Sequence, residues 1–493
     1  MSNPKFNFIQ QVFALNMFSN FASAPRKGSP AQLQKDLTLI LQAILSDTNV
    51  QQMMGKWEVV WGPVVGSYGE DVKNQVASNA MYVAKNPEGQ YVVAVSATNP
   101  SSLYGWFTED FDVRTMVAWD GSPTPKPDAP RIANGTHLGL QHLLQLTYTS
   151  GPQAASTLMQ FLNSTFGASA EHTQLVVSGH SLGGALSPVL ALHIDEAQAE
   201  WNPAKTVEVS TMPTAGASPG NKAFSDYQNA KMGSRTIRFW NSLDPVPHGW
   251  QPVTVELVPF LYYPYFKTGI LFKAIAGLVL EQSLQGTAPY PEGGFYTPLQ
   301  PQVTPLPGQV YITLTRNLSG AQVLQYFVDM EAGKLLKKLG IGGVAATLII
   351  DALNWLLNKF GNEESLDTLV ANLEERIKKI PGYGPELDKF IGILYAMLLE
   401  LENVMIFLLQ LVYQHVTVYT DLMGTAQLHP LTQAIVNNLV SNGTIGSDYS
   451  NINDKLTEPL QLLMQTAPKM GSVIEGLLTD DLMAKAGWGK PGK

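Results

Sequence analysis

Along residues 31–54, AQLQKDLTLILQAILSDTNVQQMM, leucine and isoleucine recur three and four positions apart, the period that gathers apolar side chains on one face of a helix. This predicts an amphipathic helix after a Pro- and Gly-rich lead-in. The pattern then shortens. AMYVAK and QYVVAVSAT flank NPEG, so residues 80–97 read as a β-hairpin. Residues 121–130, GSPTPKPDAP, hold too much proline for either period and read as a surface loop, and 151–166 as a helix leading to a strand at 174–178. That strand, QLVVS, runs through GHS into LGGALSPVLALHIDEA, so a helix is expected from Leu182 to about Ala197. Strand-like runs at 206–214, TVEVSTMPT, and 235–241, RTIRFWN, complete an alternation that predicts an α/β fold with a mostly parallel central sheet.

Beyond residue 250 the texture changes. Residues 253–310 are rich in proline, tyrosine and phenylalanine, and 330–413 read as helices that include IGILYAMLLELENVMIFLLQLVYQ. The expected organisation is an N-terminal helical segment (1–56), a core (57–250), a large helical insertion (251–410) and a C-terminal part that completes the core (411–493). Between Lys389 and Asp421 only Glu400 and Glu402 are charged, but with Asn403, Gln410, Gln414 and His415 they argue against a transmembrane span. The N-terminus, MSNPKFNFIQQVFALNMFSNFASAP, ends like a secretory cleavage site. Gln10, Gln11 and Asn16 interrupt its apolar region and Pro25 follows the supposed cut, so it reads as mature chain, either cytoplasmic or exported by a signal-independent route.

Composition narrows the chemistry. Hydrophobic residues make up 45% and charged residues 14%, which fits a folded protein with a greasy surface that could meet lipid. A net charge of −9 without a basic block gives no footprint for nucleic acid. The absence of cysteine excludes disulfides, thiolate metal sites and a cysteine nucleophile.

Gly179-His180-Ser181-Leu182-Gly183 matches G-x-S-x-G between a strand and a helix. That setting forces the serine into a strained turn, which the two glycines permit by removing side chains that would clash. The Leu182 amide, at the helix N-terminus, is then a candidate oxyanion donor. The plain alternative is a Gly-rich turn with a buried serine. A serine hydroxyl needs an imidazole base and a carboxylate that fixes its tautomer. Asp244 follows the 235–241 run at the sheet edge where Ser181 emerges, whereas Asp195 and Asp226 fall in or beside helices.

Residues 57–250 and 410–425 resemble the class 3 lipases, the family of the filamentous-fungal triacylglycerol lipases. VVAVSATNPSSLYGWFTED at 92–110 resembles the family's strand, F-R-G-T and W-x-x-D segment, and THLGL at 136–140 its V-H-x-G-F. GHSLGGAL resembles its elbow, TAGASPGN at 214–221 its T-F-G-x-P-R-V-G-N, and DPVP at 244–247 its D-x-V-P. Ser96-Ala97 stands where the family has Arg-Gly, and the proline of the 214–221 segment is displaced.

The resemblance implies an α/β-hydrolase fold, a serine hydrolase acting on carboxylic esters of lipids, Thr98 as second oxyanion donor, and no cofactor or metal. It also points to His415, because QHVTVYTDLMG resembles the family's catalytic-histidine segment; His248 and His429 stay open as reserves. His180 lies inside the elbow, His137 resembles a structural histidine beneath the oxyanion strand, and His142, His172 and His193 read as core or surface residues. With His415 as base, residues 251–410 separate acid from base and read as a cap or lid, opening in transient contact with a lipid interface. A phospholipase A1 or feruloyl-type esterase is the enzymatic alternative. A membrane- or partner-binding protein on an inactive hydrolase scaffold is the non-enzymatic one.

Overall fold

The computed structural model describes residues 4–23, 27–99, 112–123, 126–148, 155–313, 318–330, 332–338, 347, 350–354, 357, 365–379 and 385–465. Residues 100–111, which include Trp106 and Asp110, the start of the 151–166 run and the terminal stretch 466–493 lie outside the described residues.

The chain opens with helices α1 (Phe8–Ser19), α2 (Pro30–Ser46) and α3 (Thr48–Met54). The apolar period over 31–54 suggests one helix, but Asp47 divides it. Its extended backbone ends α2, and its carboxylate accepts the amides of Asn49 (2.8 Å) and Val50 (3.1 Å) as the cap that starts α3. Strand β1 (Glu58–Gly66) and the short helix α4 (Glu70–Asn74) lead to β2 (Asn79–Lys85) and β3 (Tyr91–Val95), which form the expected antiparallel hairpin. The hairpin turns on Gly89 at φ +81°, and Asn86 ties both its amide groups to Gln90.

After β4 (Met116–Ala118), β5 (Arg131–Ala133), α5 (Asn134–Gln145) and α6 (Leu158–Phe166) comes β6 (Thr173–His180), then α7 (Leu182–Glu196) and β7 (Val207–Thr214). The main sheet has the order β1-β2-β3-β6-β7, antiparallel from β1 to β3 and parallel across β3, β6 and β7. A second antiparallel sheet of short strands joins β4 and β5 to β8 (Gly220–Asn221) and β9 (Tyr296–Thr297). Side chains from the sheet and its helices, among them Trp61, Val93, Phe161, Val177, Leu186 and Phe224, form one buried core.

The 235–241 run lies parallel to β7, yet only through bridges at Thr211–Thr236 and Thr214–Phe239. The Ile237 and Phe239 amides donate to Thr211 and Pro213 of β7. The return bond from position 213 is missing because proline has no N–H, so the ladder breaks into separate bridges.

The chain divides into two compact units, one of residues 1–255, 279–308 and 414–458 and the other of 256–278, 309–413 and 459–493. The second is mainly helical, with helices Gly320–Asp329, Leu366–Ile377 and Pro385–Val412. Leu394, Leu398, Leu401, Val404 and Met405 are buried, and Phe407 packs its ring against Phe272 at 3.8 Å. Within this helix Gln410 donates to the Tyr311 carbonyl (2.7 Å) and accepts its amide (3.1 Å). The helical run Ile391–Leu422 is long and apolar enough to cross a membrane, and 44% of its apolar window is buried within the chain.

Candidate active site

Strand β6 ends at His180 and α7 begins at Leu182, which leaves Ser181 as the whole turn between them. Its backbone sits at φ 59°, ψ −122°, a conformation L-residues rarely adopt. A Cβ on Gly179 would collide with the Gly183 carbonyl, and one on Gly183 would stand 2.5 Å from the Val95 oxygen and 2.7 Å from that of Ser96. The elbow is therefore pressed against the end of β3, and only glycine fits at both positions. The Ser181 amide donates to Thr214 of β7 (3.1 Å), while its carbonyl accepts from Ala185 and starts the helix. Leu182 is buried at the first position of α7, where an amide has no acceptor inside the helix.

Asp244 comes from the turn that follows the bridged 236–239 segment and is fully buried. The turn is closed locally: the Asp244 amide donates to Asn241 (3.1 Å), and the Val246 amide donates to Asp244 Oδ1 (3.0 Å). His415 lies in a five-residue π turn, Tyr413–Thr417, followed by helix Val418–Leu422. A π turn places an extra residue in the helix and swings its side chains off the regular spacing.

These three side chains form one line. His415 Nε2 is 2.7 Å from Ser181 Oγ, and His415 Nδ1 is 2.8 Å from Asp244 Oδ2 and 3.0 Å from Oδ1. An ionised carboxylate only accepts, so Nδ1 carries the proton and donates it to Asp244. Nε2 then holds a lone pair and accepts the Ser181 hydroxyl. Asp244 Oδ2 also accepts from the Tyr419 hydroxyl at 2.9 Å. Burial first, and the Asp244 charge second, push the Tyr419 phenol well above its ordinary pKa, so it stays a neutral donor.

Two residues that the sequence did not single out hold this line. Asn241 donates through Nδ2 to the Gln414 carbonyl (3.0 Å) and side-chain oxygen (2.8 Å), accepts the Leu243 amide (3.0 Å), and donates its own amide to Tyr419 (2.8 Å). It joins the turn of Asp244 to the turn of His415. His180, beside Ser181, donates Nε2–H to the His415 carbonyl at 2.7 Å, and its ring stands 5.0 Å from that of His415. Burial, and after it the nearness of His415, hold its pKa well below the ordinary value, so His180 is neutral. No pattern in a single sequence marks Asn241; His180 is marked only by its place in the elbow.

The remaining histidines are engaged elsewhere. His248 Nε2 faces the Ser242 carbonyl at 3.4 Å with its ring edge-on to Trp240, and His429 pairs with Asp454 at 3.3 Å. His142 stacks on Tyr68 with ring centres 3.7 Å apart, His172 is exposed, and His137 and His193 are half-buried on α5 and α7. Thr98 is half-buried, three residues past Val95, the β3 residue that pairs with Gly179. Among the described residues no group of three or more His, Asp or Glu side chains is placed to hold a metal ion.

Residues 111–252 match the family described as Lipase (class 3), a stretch that holds Ser181 and Asp244 but neither Thr98 nor His415. The chain is similar to the crystal structure of M37 lipase, with 28% identity over 63% of this chain and 87% of that one, and a TM-score of 0.54. It is more distantly similar to a lipase from Rhizopus microsporus var. chinensis (13% identity, 50% of this chain, 70% of that one, TM-score 0.29). Lipase II from Rhizopus niveus shows 16% identity over 48% of this chain and 74% of that one, with a TM-score of 0.30. No curated protein matches.

Proposed function

This chain is class 3 lipase-like with an α/β-hydrolase fold, and from that premise we propose that it hydrolyses carboxylic esters of lipids through Ser181, His415 and Asp244. The observation that carries the proposal is the unbroken line from Ser181 Oγ through the His415 ring to the Asp244 carboxylate, with contacts of 2.7 and 2.8 Å. As Ser181 Oγ attacks the ester carbonyl, its proton passes to His415 Nε2, and Asp244 stabilises the resulting imidazolium and holds its tautomer. The tetrahedral oxyanion is met by the Leu182 amide, with the positive end of α7 behind it, and by the Thr98 amide. Thr98 is supported by the family resemblance and by its place beyond β3, next to the elbow. His415 then gives its proton to the leaving alcohol, and a water activated by the same ring hydrolyses the acyl-enzyme.

The test is Ser181→Ala, which removes one oxygen from a half-buried turn. Turnover of a short p-nitrophenyl ester is expected to fall by about 10⁴-fold or more with unchanged circular dichroism. Retained turnover would move the nucleophile elsewhere.

The interval 251–410, which chain order puts between acid and base, is proposed as a cap whose partner is a lipid surface. Leu257, Phe260, Tyr263 and Tyr265 are each more than half exposed, an apolar cluster suited to that contact. The run Ile391–Leu422 is taken as a core helix rather than a span, because His415 and Tyr419 near its end bond Asp244 and Asn241. Activity on a medium-chain ester is expected to rise sharply past its solubility limit, with no such break for a short soluble ester. Smooth saturation through that limit would remove the cap proposal.

A further inference from the structure

The end of β3 poses an accounting problem. Past Val95 the chain leaves the sheet beside the elbow; Ser96 Oγ accepts the Ala80 amide of β2 at 3.0 Å, while Ala97 has no polar side chain to fix its own backbone. Buried backbone groups there still require partners. The Ser96 amide donates to the Ala80 carbonyl at 2.9 Å. The other two partners come from α1: Asn16 donates Nδ2 to the Val95 carbonyl (3.1 Å), and Asn20 Oδ1 accepts the Ala97 amide (2.8 Å).

Asn16 and Asn20 lie four residues apart, on one face of α1 and its end, and both are buried. The helix that presents them is itself tied down, because the Tyr82 hydroxyl of β2 donates to the Leu15 carbonyl at 2.5 Å. On the far side of Thr98, Asn99 donates Nδ2 to the Ala77 carbonyl at 2.9 Å and is fully buried. Gly183 of the elbow presses on the Val95 and Ser96 carbonyls, so any shift of this strand end is a shift relative to Ser181.

We propose that Asn20 is a positioning residue for the oxyanion hole: by holding the Ala97 amide it fixes the peptide unit immediately before the one from which the Thr98 N–H projects. The proposal rests on the hydrolase reading above, with Ser181 as nucleophile and Thr98 as donor. Asn20 touches no substrate. Its part is to keep a backbone donor within the few tenths of an ångström that electrostatic stabilisation of a developing charge demands.

The experiment compares Asn20→Leu, which removes the acceptor, with Asn20→Asp, which keeps an oxygen where Oδ1 stands. Turnover is measured per active serine, counted by titration with a fluorophosphonate, so a merely misfolded fraction drops out of kcat. For Asn20→Leu, kcat per titrated serine is expected to fall about ten- to hundredfold, with KM changed by less than about threefold. Asn20→Asp is expected to recover to within about threefold of the parent. If Asn20→Leu yields no folded protein, Asn20→Ser, whose hydroxyl falls short of the Ala97 amide, is expected to lose about tenfold in kcat.

A parent-like kcat per titrated serine in the folded variants, or a loss confined to thermal stability and titre, overturns the proposal. Ser181→Ala, run alongside, separates the two readings. If it stays active, the hydrolase assignment falls, and the role of Asn20 with it. If it is dead while the Asn20 variants turn over normally, only the role of Asn20 falls.

Discussion

The two sides of Ser181 are built on different plans. On the base side, two turns hold each other: Asn241 bonds Gln414 twice and Tyr419 once, Tyr419 bonds Asp244, and His180 bonds the His415 carbonyl. On the proposed oxyanion side, the groups in question are backbone amides at a strand end, and the side chains that fix that end are Asn16, Asn20, Ser96 and Asn99. A cross-braced pair of turns spreads the loss of one bond over the others. The Ala97 amide has one side-chain acceptor, Asn20, and less reserve of this kind, so its loss becomes a displacement. This difference explains why a burial-neutral change far along the chain, in α1, is expected to reach kcat.

The largest effect that tests this contrast is at the base itself. His415→Ala is expected to lose about 10⁴-fold or more in kcat, whereas His248→Ala and His429→Ala stay within about tenfold, because members of one relay fail together. A dead His248→Ala beside an active His415→Ala would dissolve the base side as described, and the cap proposal with it.

The bracing is tested next. Asn241→Ala removes an amide that serves both turns, and a destabilisation of about 2–4 kcal/mol is expected in urea unfolding, with a drop in kcat. Tyr419→Phe deletes one of four contacts to Asp244 and takes the acceptor from the buried Asn241 amide, and is expected to cost about tenfold in kcat and about 1–3 kcal/mol in stability. If cross-bracing operates, the double variant departs from the sum of the two by about 1 kcal/mol, because the Asn241 side chain and the Tyr419 hydroxyl brace the same two turns. Additive losses would make the two turns independent and remove the contrast with the oxyanion side.

How far each side can be read from sequence follows from the same contrast. The elbow is local: glycines two positions either side of Ser181, an apolar strand before and an apolar helix after, so its geometry is written in adjacent letters. The β2–β3 hairpin and the start of α7 are local in the same sense. Asp244 stands out because it follows a strand-like run at the edge where Ser181 emerges, even though Pro213 breaks that run into bridges. His415 was reached only through its resemblance to a family segment, since 171 residues part it from Asp244 and no periodicity spans them.

Asn241 and Asn20 were not legible at all. Each is an asparagine whose partners lie 173 and 77 residues away, and its type signals a turn or a helix end as readily as a bracing bond. The split of the 31–54 helix was open to view in Asp47, a capping residue amid an unbroken apolar period, where the period outweighed the cap.

The account stands on Ser181 being activated by His415, and labelling with a fluorophosphonate followed by peptide mapping addresses that directly. The parent protein is expected to take up one equivalent of probe, on the peptide that carries Ser181, and His415→Ala is expected to label at least about a hundredfold more slowly. Probe attached to a different serine, or equal labelling rates with and without the His415 imidazole, would contradict it.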